Sequence, residues 1–573
     1  MAGISMAATF AVALAGPSVM EPALPGQPGQ PPWSLGLRPS PYLAIGLTAA
    51  ALAAGAPGLV LTLRAVRRGW SVPAWMVLAG GLLAAAALTL VPPFGSSDHL
   101  SYAAYGRMLV TGHDPYTTTP AQLAALGDPV ARAVQDWQGA PSVYGPLATA
   151  IQALASLAGG TSVRLTVFVL GLANLAAFAA VALLLHRMTR HDPARQLRAA
   201  LLWAANPLLL QMLVAGAHVD GQAVAFGVAA VAVMSPAVLP ATGPAARPEM
   251  PGTAPGRTGR TDRADWAGPW PARSLARASA AGVLVGLGFA VKVTIALVGL
   301  GLALALGYGC WRRRGSWREL WPPLAALGAG FAVTAGAALA IGGSAMLRQT
   351  SQASDMVSIG SPWRVIRSVI HLTVTGTAAT DIVKAGAVVL AVLLAVLLFR
   401  GLAGTGRGYG PDASAASGRN ADPGRDTDPG RDTDPGRYAT IAFALALAWL
   451  FAWPYVLPWY DALGWALLPL AVGGGVEANP LRPAAVGGLG WLLLARTTAL
   501  GFGYLPARQA DAPLPSGLGW LQPVVRHGVT PAVLAVATVW LVVLMVRSRR
   551  TMQTDPPEAG GSADPKAAAA KAT

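Results

Sequence analysis

The 573-residue chain is 54% hydrophobic and only 12% charged, with a mean hydropathy of +0.50, where a soluble protein carries about 25% charged residues, so a soluble globular fold is excluded. Its apolar runs are about 17–25 residues long and do not alternate, so a β-barrel is excluded and an all-α polytopic membrane protein is predicted. Lys and Arg exceed Asp and Glu by 16, but the arginines gather in loops between apolar runs, which marks topology and gives no reason to expect nucleic acid.

Residues 1–20 have an apolar core and no basic n-region. Ala13, Ala15 and Pro17 mimic a cleavage site, yet an uncleaved first helix over 3–20 is the expectation. Run 41–63 ends in Arg64, Arg67 and Arg68, which belong on the cytoplasmic side, and run 74–92 exits. The loop 94–143 then lies outside, with Asp98, Asp114, Asp128 and Asp136 against Arg107 and Arg132. Run 146–158 is too short to span and stops at Gly159-Gly160, so an interfacial helix on the outer face is predicted. Run 163–185 ends inside at His186, Arg187, Arg190, Arg195 and Arg198. Run 199–215 brings AGAHVDG, residues 215–221, to the outer surface, and run 222–238 returns. Residues 1–240 thus form a first membrane module. Residues 241–277, rich in Arg and Pro without apolar period, read as a flexible cytoplasmic loop.

Residues 278–400 form a central module. Its first run, 278–310, carries Lys292 in the middle and arginines of cytoplasmic type at both ends. Parity predicts a re-entrant or broken hairpin turning near Lys292, with two tight spans as the alternative. Run 322–342 exits, the outer loop 343–380 carries Arg348, Asp355, Trp363, Arg364, Arg367 and His371, and run 382–399 returns. Residues 401–437, with DPGRDT repeats, have the composition of a disordered cytoplasmic linker. A third module, 438–546, holds run 438–456, runs 461–476 and 483–501 around Glu477 and Arg482, an outer loop 502–528 and a last span 529–546. Residues 547–573 are a polar cytoplasmic tail. The expectation is about twelve crossings, one hairpin and one interfacial helix. Cys310 is the only cysteine, so no intrachain disulfide forms.

Every arginine cluster of cytoplasmic type falls on one predicted side, and the unusual polar and aromatic motifs fall on the other. DHLSYAAYGR reads as a helix in which Asp98 and Tyr102 share a face. A carboxylate with aromatic neighbours at a membrane surface suits a general base acting on a hydroxyl, although a solvated loop aspartate has the same sequence appearance. His113, Asp114 and Tyr116 lie in a turn, GHDPY, and Tyr144 opens a second one. These tyrosines can stack on a sugar or sit at headgroup level. His218 and Asp220 close a helix at the outer end, and two such residues are too few to predict a metal. Lys292, deep in its run, favours a paired or phosphate-facing role over snorkelling. Arg348, Arg364 and Arg367 lie outside against the topological trend and suit a lipid-linked phosphate. Trp453, Trp459 and Tyr460 read as an aromatic belt and then as sugar-stacking groups.

At these residues the chain resembles the actinobacterial polyprenol-phosphate-mannose-dependent α-1,6-mannosyltransferases, the MptA/MptB group of the C-type glycosyltransferase superfamily. The elements that carry the resemblance are DHLSYAAYG (98–106), GHDPY (112–116), WQGAPSVYGPL (137–147), NPLLLQMLVAGAHVDG (206–221), GFAVKVTIAL (288–297), SIGSPWRVI (358–366) and LPWYDAL (457–463). His218-Val219-Asp220 stands where the family reads like His-Asn-Asp, and Thr294 follows Lys292 where a proline is frequent. These departures bear on donor or acceptor specificity more than on fold. The resemblance implies a C-type helical bundle in the cell membrane with an extracytoplasmic active face. It implies inverting transfer of a hexose, mannose above all, from a polyprenyl monophosphate to a glycan or glycolipid acceptor. Asp98 would be the base and Lys292 and Arg364 the phosphate grips. Tyr102, His113, Asp114, Tyr116, Tyr144, His218, Asp220, Trp459 and Tyr460 would bind substrate, with no cofactor, metal or nucleotide. The rival reading is a transporter or flippase of a lipid-linked sugar, which would place its acids and broken helices at mid-membrane and show internal repeats.

Overall fold

The computed structural model describes residues 1–235, 271–312, 315–374, 377–403, 435–471, 483–506 and 514–554. Among them every regular element is helical. The first part of the chain forms α1 (Ala2–Ala15), α2 (Pro41–Arg67), α3 (Ala74–Thr89), α4 (Asp98–Val110), α5 (Pro120–Ala125), α6 (Pro129–Arg132), α7 (Pro146–Gly159) and α8 (Val163–Met188). There follow α9 (Pro193–Leu202), α10 (Pro207–Leu209) running into a π-helical turn Leu210–Val214, and α11 (Asp220–Met234). The rest is α12 (Ala272–Phe289), α13 (Ala296–Arg312), α14 (Trp317–Ser354), α15 (Pro362–Ile370), α16 (Ala378–Ala403), α17 (Pro435–Ala452), α18 (Ala462–Ala471), α19 (Pro483–Gly503) and α20 (Thr530–Thr554).

The starts of these helices are written in the sequence. Ser40, Thr119, Asp128, Asn206 and Ser361 each precede a proline, and each accepts a backbone N–H of the first turn on its side chain. Proline at the first helical position has no N–H to leave unpaired, and the cap satisfies a donor that the helix cannot.

Seven helical stretches among the described residues are long and apolar enough to cross a membrane: Pro41–Arg67, Val163–Met188, Pro193–Val214, Val293–Arg312, Trp317–Ser354, Ala378–Leu402 and Gly519–Arg547. Shorter apolar helices lie at Ala2–Ala15, Ala74–Thr89, Pro146–Gly159, Asp220–Met234 and Gly436–Ala452. The expected cytoplasmic segments 241–277 and 401–437, the Glu477–Arg482 turn and the end of the tail fall largely or wholly outside the described residues.

In two places the expected outer loops are helical. Residues 343–380 are not one loop: α14 kinks at Gly343, where φ is 61°, and continues to Ser354, and α15 follows. Residues 514–529 carry a 3-10 turn, Gly519–Leu521, and a π-helical turn, Gln522–Val529, leading into α20. In both, polar side chains interrupt the apolar run, while good helix formers such as Met346, Leu347 and Gln349 carry the first helix on to Ser354.

Long-run expectations over 278–310 meet a real discontinuity. α12 ends at Phe289, Lys292 is extended (φ −150°, ψ 124°), and a 3-10 turn Val293–Ile295 leads into α13. The exposed carbonyls of the break do not go unpaired: Gly145 N–H donates to Val291 O at 3.1 Å and Leu147 N–H to Ala290 O at 3.0 Å. The start of α7 thereby fills the gap in the ladder, which is the condition for broken helix inside an apolar bundle.

Close backbone approach fixes the helix that carries the site. α4 lies on α7, and a Cβ at Gly106 would stand 2.1 Å from Gln152 O. Gly106→Ala must therefore push α4 off α7, at an expected cost of about 1–3 kcal/mol. Thermal unfolding in detergent is expected to fall by several degrees for Gly106→Ala and to be unchanged for Gly80→Ala, whose added Cβ would meet nothing within 4 Å. Equal stability of both variants would contradict the close packing.

Candidate active site

The site is assembled from five chain segments that meet at one end of the bundle. Asp98 is the first residue of α4, and its backbone N–H donates to Ser96 Oγ at 3.0 Å. The strand of chain before it is tied down on both sides. Phe94 N–H donates to Ala215 O at 2.9 Å and Gly95 N–H to Met20 O at 2.8 Å, while Ser97 donates to the Asp136 carboxylate. Tying residue 94 to residue 215 brings the next segment alongside: Ala217 turns the chain with φ 54°, and His218 Nδ1 comes to 3.5 Å from Asp98 Oδ2. The imidazole is stacked on Trp459, ring centroids 3.5 Å apart and 15° between planes.

Beside it lies an ion pair. Lys292 Nζ donates to Asp220 Oδ1 at 2.6 Å, with side-chain exposures of 13% and 7%, and the ammonium sits 3.7 Å from the centroid of the Tyr460 ring. Asp220 opens α11 and Lys292 occupies the α12–α13 break, so a charge contact joins two elements that each begin or end here. Tyr144 O–H donates to Tyr102 O–H at 3.2 Å, and their rings meet edge to face at 5.2 Å. Trp459 and Tyr460 come from the 3-10 turn Pro458–Asp461. That turn is held from below by Asp461, whose carboxylate pairs with Arg496 and accepts Thr497 Oγ1 at 2.7 Å, all three fully buried.

Asp98 opens onto a cavity of about 910 Å³. Asp98, Ser97 and Asp136 line it together with Tyr455, Tyr504, Arg364, Arg367 and Arg526. Burial pushes the Asp98 carboxyl up to about 7, with the nearby Asp220 carboxylate adding to the rise and the Lys292 ammonium opposing it. Burial, and then the Lys292 charge, hold the His218 imidazole well below its ordinary range, so it is neutral at pH 7. A carboxyl that ionises near neutrality, next to a neutral imidazole and on a cavity that three guanidinium groups also line, is suited to accepting a proton from a hydroxyl while an anion is held in the same cavity.

The structure brings together Asp98, Tyr102, Tyr144, His218, Asp220, Lys292, Trp459 and Tyr460, and Arg364 lines the same cavity as Asp98. Lys292 is not among the side chains that line that cavity. His113, Asp114 and Tyr116 are elsewhere and in local roles. His113 Nδ1 meets Thr111 Oγ1 at 3.1 Å, Asp114 Oδ1 accepts Tyr116 N–H at 2.9 Å, and Tyr116 O–H lies 3.2 Å from Thr149 Oγ1. Arg348 bonds Ser344 on its own helix. Sequence reasoning missed the roles of Asp136, Tyr455, Tyr504 and Arg526 and the Asp461–Arg496 pair. Arg526 carried the same signal as Arg364, a cation in an expected outer loop. Arg496 stood within the apolar run 483–501 as Lys292 did within its own. Among the described residues, no three His, Cys, Asp or Glu side chains are grouped to hold a metal ion.

The profile described as alpha-(1->6)-mannopyranosyltransferase, N-terminal domain, matches residues 3–308. The chain belongs to this family. The matched region contains Asp98, Tyr102, Tyr144, His218, Asp220 and Lys292, while Arg364, Trp459 and Tyr460 lie beyond it. An alpha-(1->6)-mannopyranosyltransferase of Mycobacterium tuberculosis is 33% identical over 132 residues, 23% of this chain and 22% of that protein. A probable alpha-(1->6)-mannopyranosyltransferase of Mycolicibacterium smegmatis is 33% identical over 133 residues, 23% of this chain and 24% of its own. Alpha-(1->6)-mannopyranosyltransferase B of Corynebacterium glutamicum is 30% identical over 134 residues, covering 23% and 22%. The matching stretch therefore spans less than a quarter of each relative's length. No solved structure matches the chain.

The Lys292–Asp220 pair yields a stability test. Removing one partner leaves a buried charge alone, which costs about 3–5 kcal/mol, whereas removing both is far milder. Asp220→Asn and Lys292→Met are each expected to lower the unfolding temperature more than the double variant does. A double variant as unstable as the sum of the singles would show that the pair is not coupled.

Proposed function

We propose that the protein is an inverting mannosyltransferase that takes the sugar from a polyprenyl monophosphate and passes it to a hydroxyl of a glycan or glycolipid. The observation that carries this reading is the cavity itself, lined both by a base poised near neutrality and by three arginines, in a chain of the mannopyranosyltransferase family. In the proposed reaction the acceptor hydroxyl sits against Asp98, gives up its proton to the carboxylate and attacks the anomeric carbon. The C–O bond to phosphate breaks on the opposite face, and the leaving monophosphate keeps the electron pair, its charge met by Arg364, Arg367 and Arg526. Inversion yields an α-mannoside from a β-linked donor. Neutral His218, fixed by its stack on Trp459, lies beside Asp98 with Nδ1 3.5 Å from the carboxylate. Lys292 neutralises Asp220 and so keeps a second carboxylate from driving Asp98 still higher. Tyr102, Tyr144, Trp459 and Tyr460 do not line the cavity; they pack around the His218 and Lys292 side chains behind Asp98 and support them. His113, Asp114 and Tyr116 hold their own loop together, away from the cavity.

The same reading places the cavity on the extracytoplasmic face, because Arg64, Arg67, Arg68 and Arg187 mark the opposite ends of their helices as cytoplasmic. It counts about twelve crossings besides the hairpin of α12 and α13 turning at Lys292, and keeps α7 as an interfacial helix on the outer face.

Asp98→Asn keeps the shape and loses the base. Turnover of a polyprenyl-phosphate-mannose donor is expected to fall by about 10²–10⁴-fold, with donor binding retained. Turnover of the unchanged protein is expected to decline about tenfold per pH unit below 7, since the active form is the ionised one. Because the folded state raises this carboxyl, its proton stabilises the fold at acid pH and that stabilisation is lost as pH rises through about 7. At pH 8 the Asn variant is therefore expected to be at least as stable as the parent. Near-normal turnover in Asp98→Asn would remove Asp98 as the base.

A further inference from the structure

One large aromatic on the cavity has no part in the proposed reaction. Trp137 lines the cavity beside Asp136, is 44% exposed and has a φ of 62°. A bulky side chain disfavours that left-handed backbone, because its Cβ crowds the following carbonyl, and such a conformation persists only where the surroundings impose it. Here they do. Ala121 N–H, from α5, donates to Gln138 O at 2.8 Å, Ala140 N–H to Trp137 O at 3.0 Å, and Ser142 N–H to Pro115 O at 2.8 Å. From α4, Tyr105 O–H donates to Ala140 O at 3.0 Å and Ser101 Oγ to Asp136 O at 3.4 Å. The segment 136–142 is thus bonded on both sides of the indole, and the indole itself is left open. Among the described residues only Arg38, Trp137 and Ala217 combine a side chain with a positive φ, and Ala217 is the residue that delivers His218 to the site.

An exposed tryptophan at a membrane surface is ordinarily part of the aromatic belt. Trp137 instead stands on a polar cavity, in one lining with Ser96, Ser97, Asp98 and Asp136. Ser97 joins the two carboxylates: it precedes Asp98 in the chain and its hydroxyl donates to Asp136. A carboxylate accepts through both oxygens, so Asp136 has a second one to offer a ligand hydroxyl. A flat apolar face next to a carboxylate matches a pyranose, which has an apolar C–H face and a rim of hydroxyl donors. The same carboxylate disfavours an anion, so the phosphate end of a donor does not belong there. The cavity of about 910 Å³ lies near the upper end of the roughly 300–1,000 Å³ of ligand pockets, which leaves room for a second sugar.

We propose that Trp137 and Asp136 form the platform that selects the acceptor: a pyranose ring of the acceptor glycan stacks on the indole and donates a hydroxyl to the Asp136 carboxylate. The acceptor is then recognised by its sugar and not by a lipid attached to it. The strained backbone serves this role by holding the indole out at a fixed angle, where a relaxed loop would fold it back against apolar neighbours. The naming of the bound sugar as acceptor rests on the proposed function, since only the acceptor has to place a hydroxyl against Asp98. The stacking of a sugar on Trp137 does not require it.

The test uses the full chain in nanodiscs and a water-soluble probe, methyl α-1,6-mannobioside. Saturation-transfer NMR is expected to reach the C–H protons of the sugar rings ahead of the methyl group. The dissociation constant of the probe is expected to rise about tenfold in Trp137→Gly and in Trp137→Ala, and to change much less in Trp137→Phe, which keeps a ring to stack on. Asp136→Asn, which loses a charge-assisted bond, is expected to weaken the probe about tenfold as well. Thermal unfolding separates this role from a structural one. Glycine adopts a φ of 62° without strain, so Trp137→Gly is expected to unfold at no lower temperature than the parent, while Trp137→Ala keeps the strained backbone. An unchanged dissociation constant in Trp137→Gly, saturation confined to the methyl group, or a Trp137→Gly protein that unfolds several degrees lower would each overturn the platform. Mannosyl transfer by Trp137→Gly with the parent's acceptor KM would sink the platform and leave the mannosyl reading standing. A mannobioside held on Trp137 by a protein that transfers no mannose would do the reverse.

Discussion

The contact between Lys292 and Asp220 is the one on which the arrangement of the site depends. An ammonium and a carboxylate at 2.6 Å, both nearly removed from water, are tolerable only as a pair. The pair holds the extended residue between α12 and α13 against the first turn of α11, and it sets Tyr460 over the ammonium. It also fixes the field in which Asp98 titrates. The carboxyl feels a negative charge and a positive charge from the same pair, and burial decides the outcome in favour of a value near 7.

The apolar surroundings impose a second constraint, that interrupted helix must find partners. Three interruptions cluster at the site: the π-helical turn Leu210–Val214, the break at Lys292 and the turn Pro458–Asp461. Each is covered. The first folds back so that His218 N–H donates to Leu213 O, the second is paired by the start of α7, and the third is anchored by the Asp461–Arg496–Thr497 network. Irregular backbone gives side chains directions that a straight helix cannot, and the bundle supplies the hydrogen bonds that make it affordable. The chemistry-bearing residues sit where regular structure fails for this reason.

Much of this was legible from the residues. Asp98 next to two tyrosines at helical spacing, Lys292 in the middle of an apolar run and Arg364 outside against the charge trend all pointed to the end of the bundle where they are found. Their signal is local: a charge where the bilayer disfavours one. In the GHDPY turn, His113, Asp114 and Tyr116 have the composition of a site, and in the structure they bond to Thr111, to each other and to Thr149 of α7. Pairing across 72 residues, as between Asp220 and Lys292, or across 35, as between Asp461 and Arg496, leaves no mark on local periodicity. The helical character of 344–354 and 362–370 was hidden because amphipathic helices at a surface lack the long apolar run that announces a span.

The central claim is that the sugar arrives on a lipid monophosphate and is transferred with inversion. The purified protein in liposomes, given mannose-labelled polyprenyl phosphate or labelled GDP-mannose in separate reactions with a short mannoside acceptor, tests it directly. The account predicts an α-linked product from the lipid donor alone, with release of polyprenyl monophosphate. Transfer from the nucleotide sugar in the absence of the lipid, or a product that retains the donor's anomeric configuration, would contradict it.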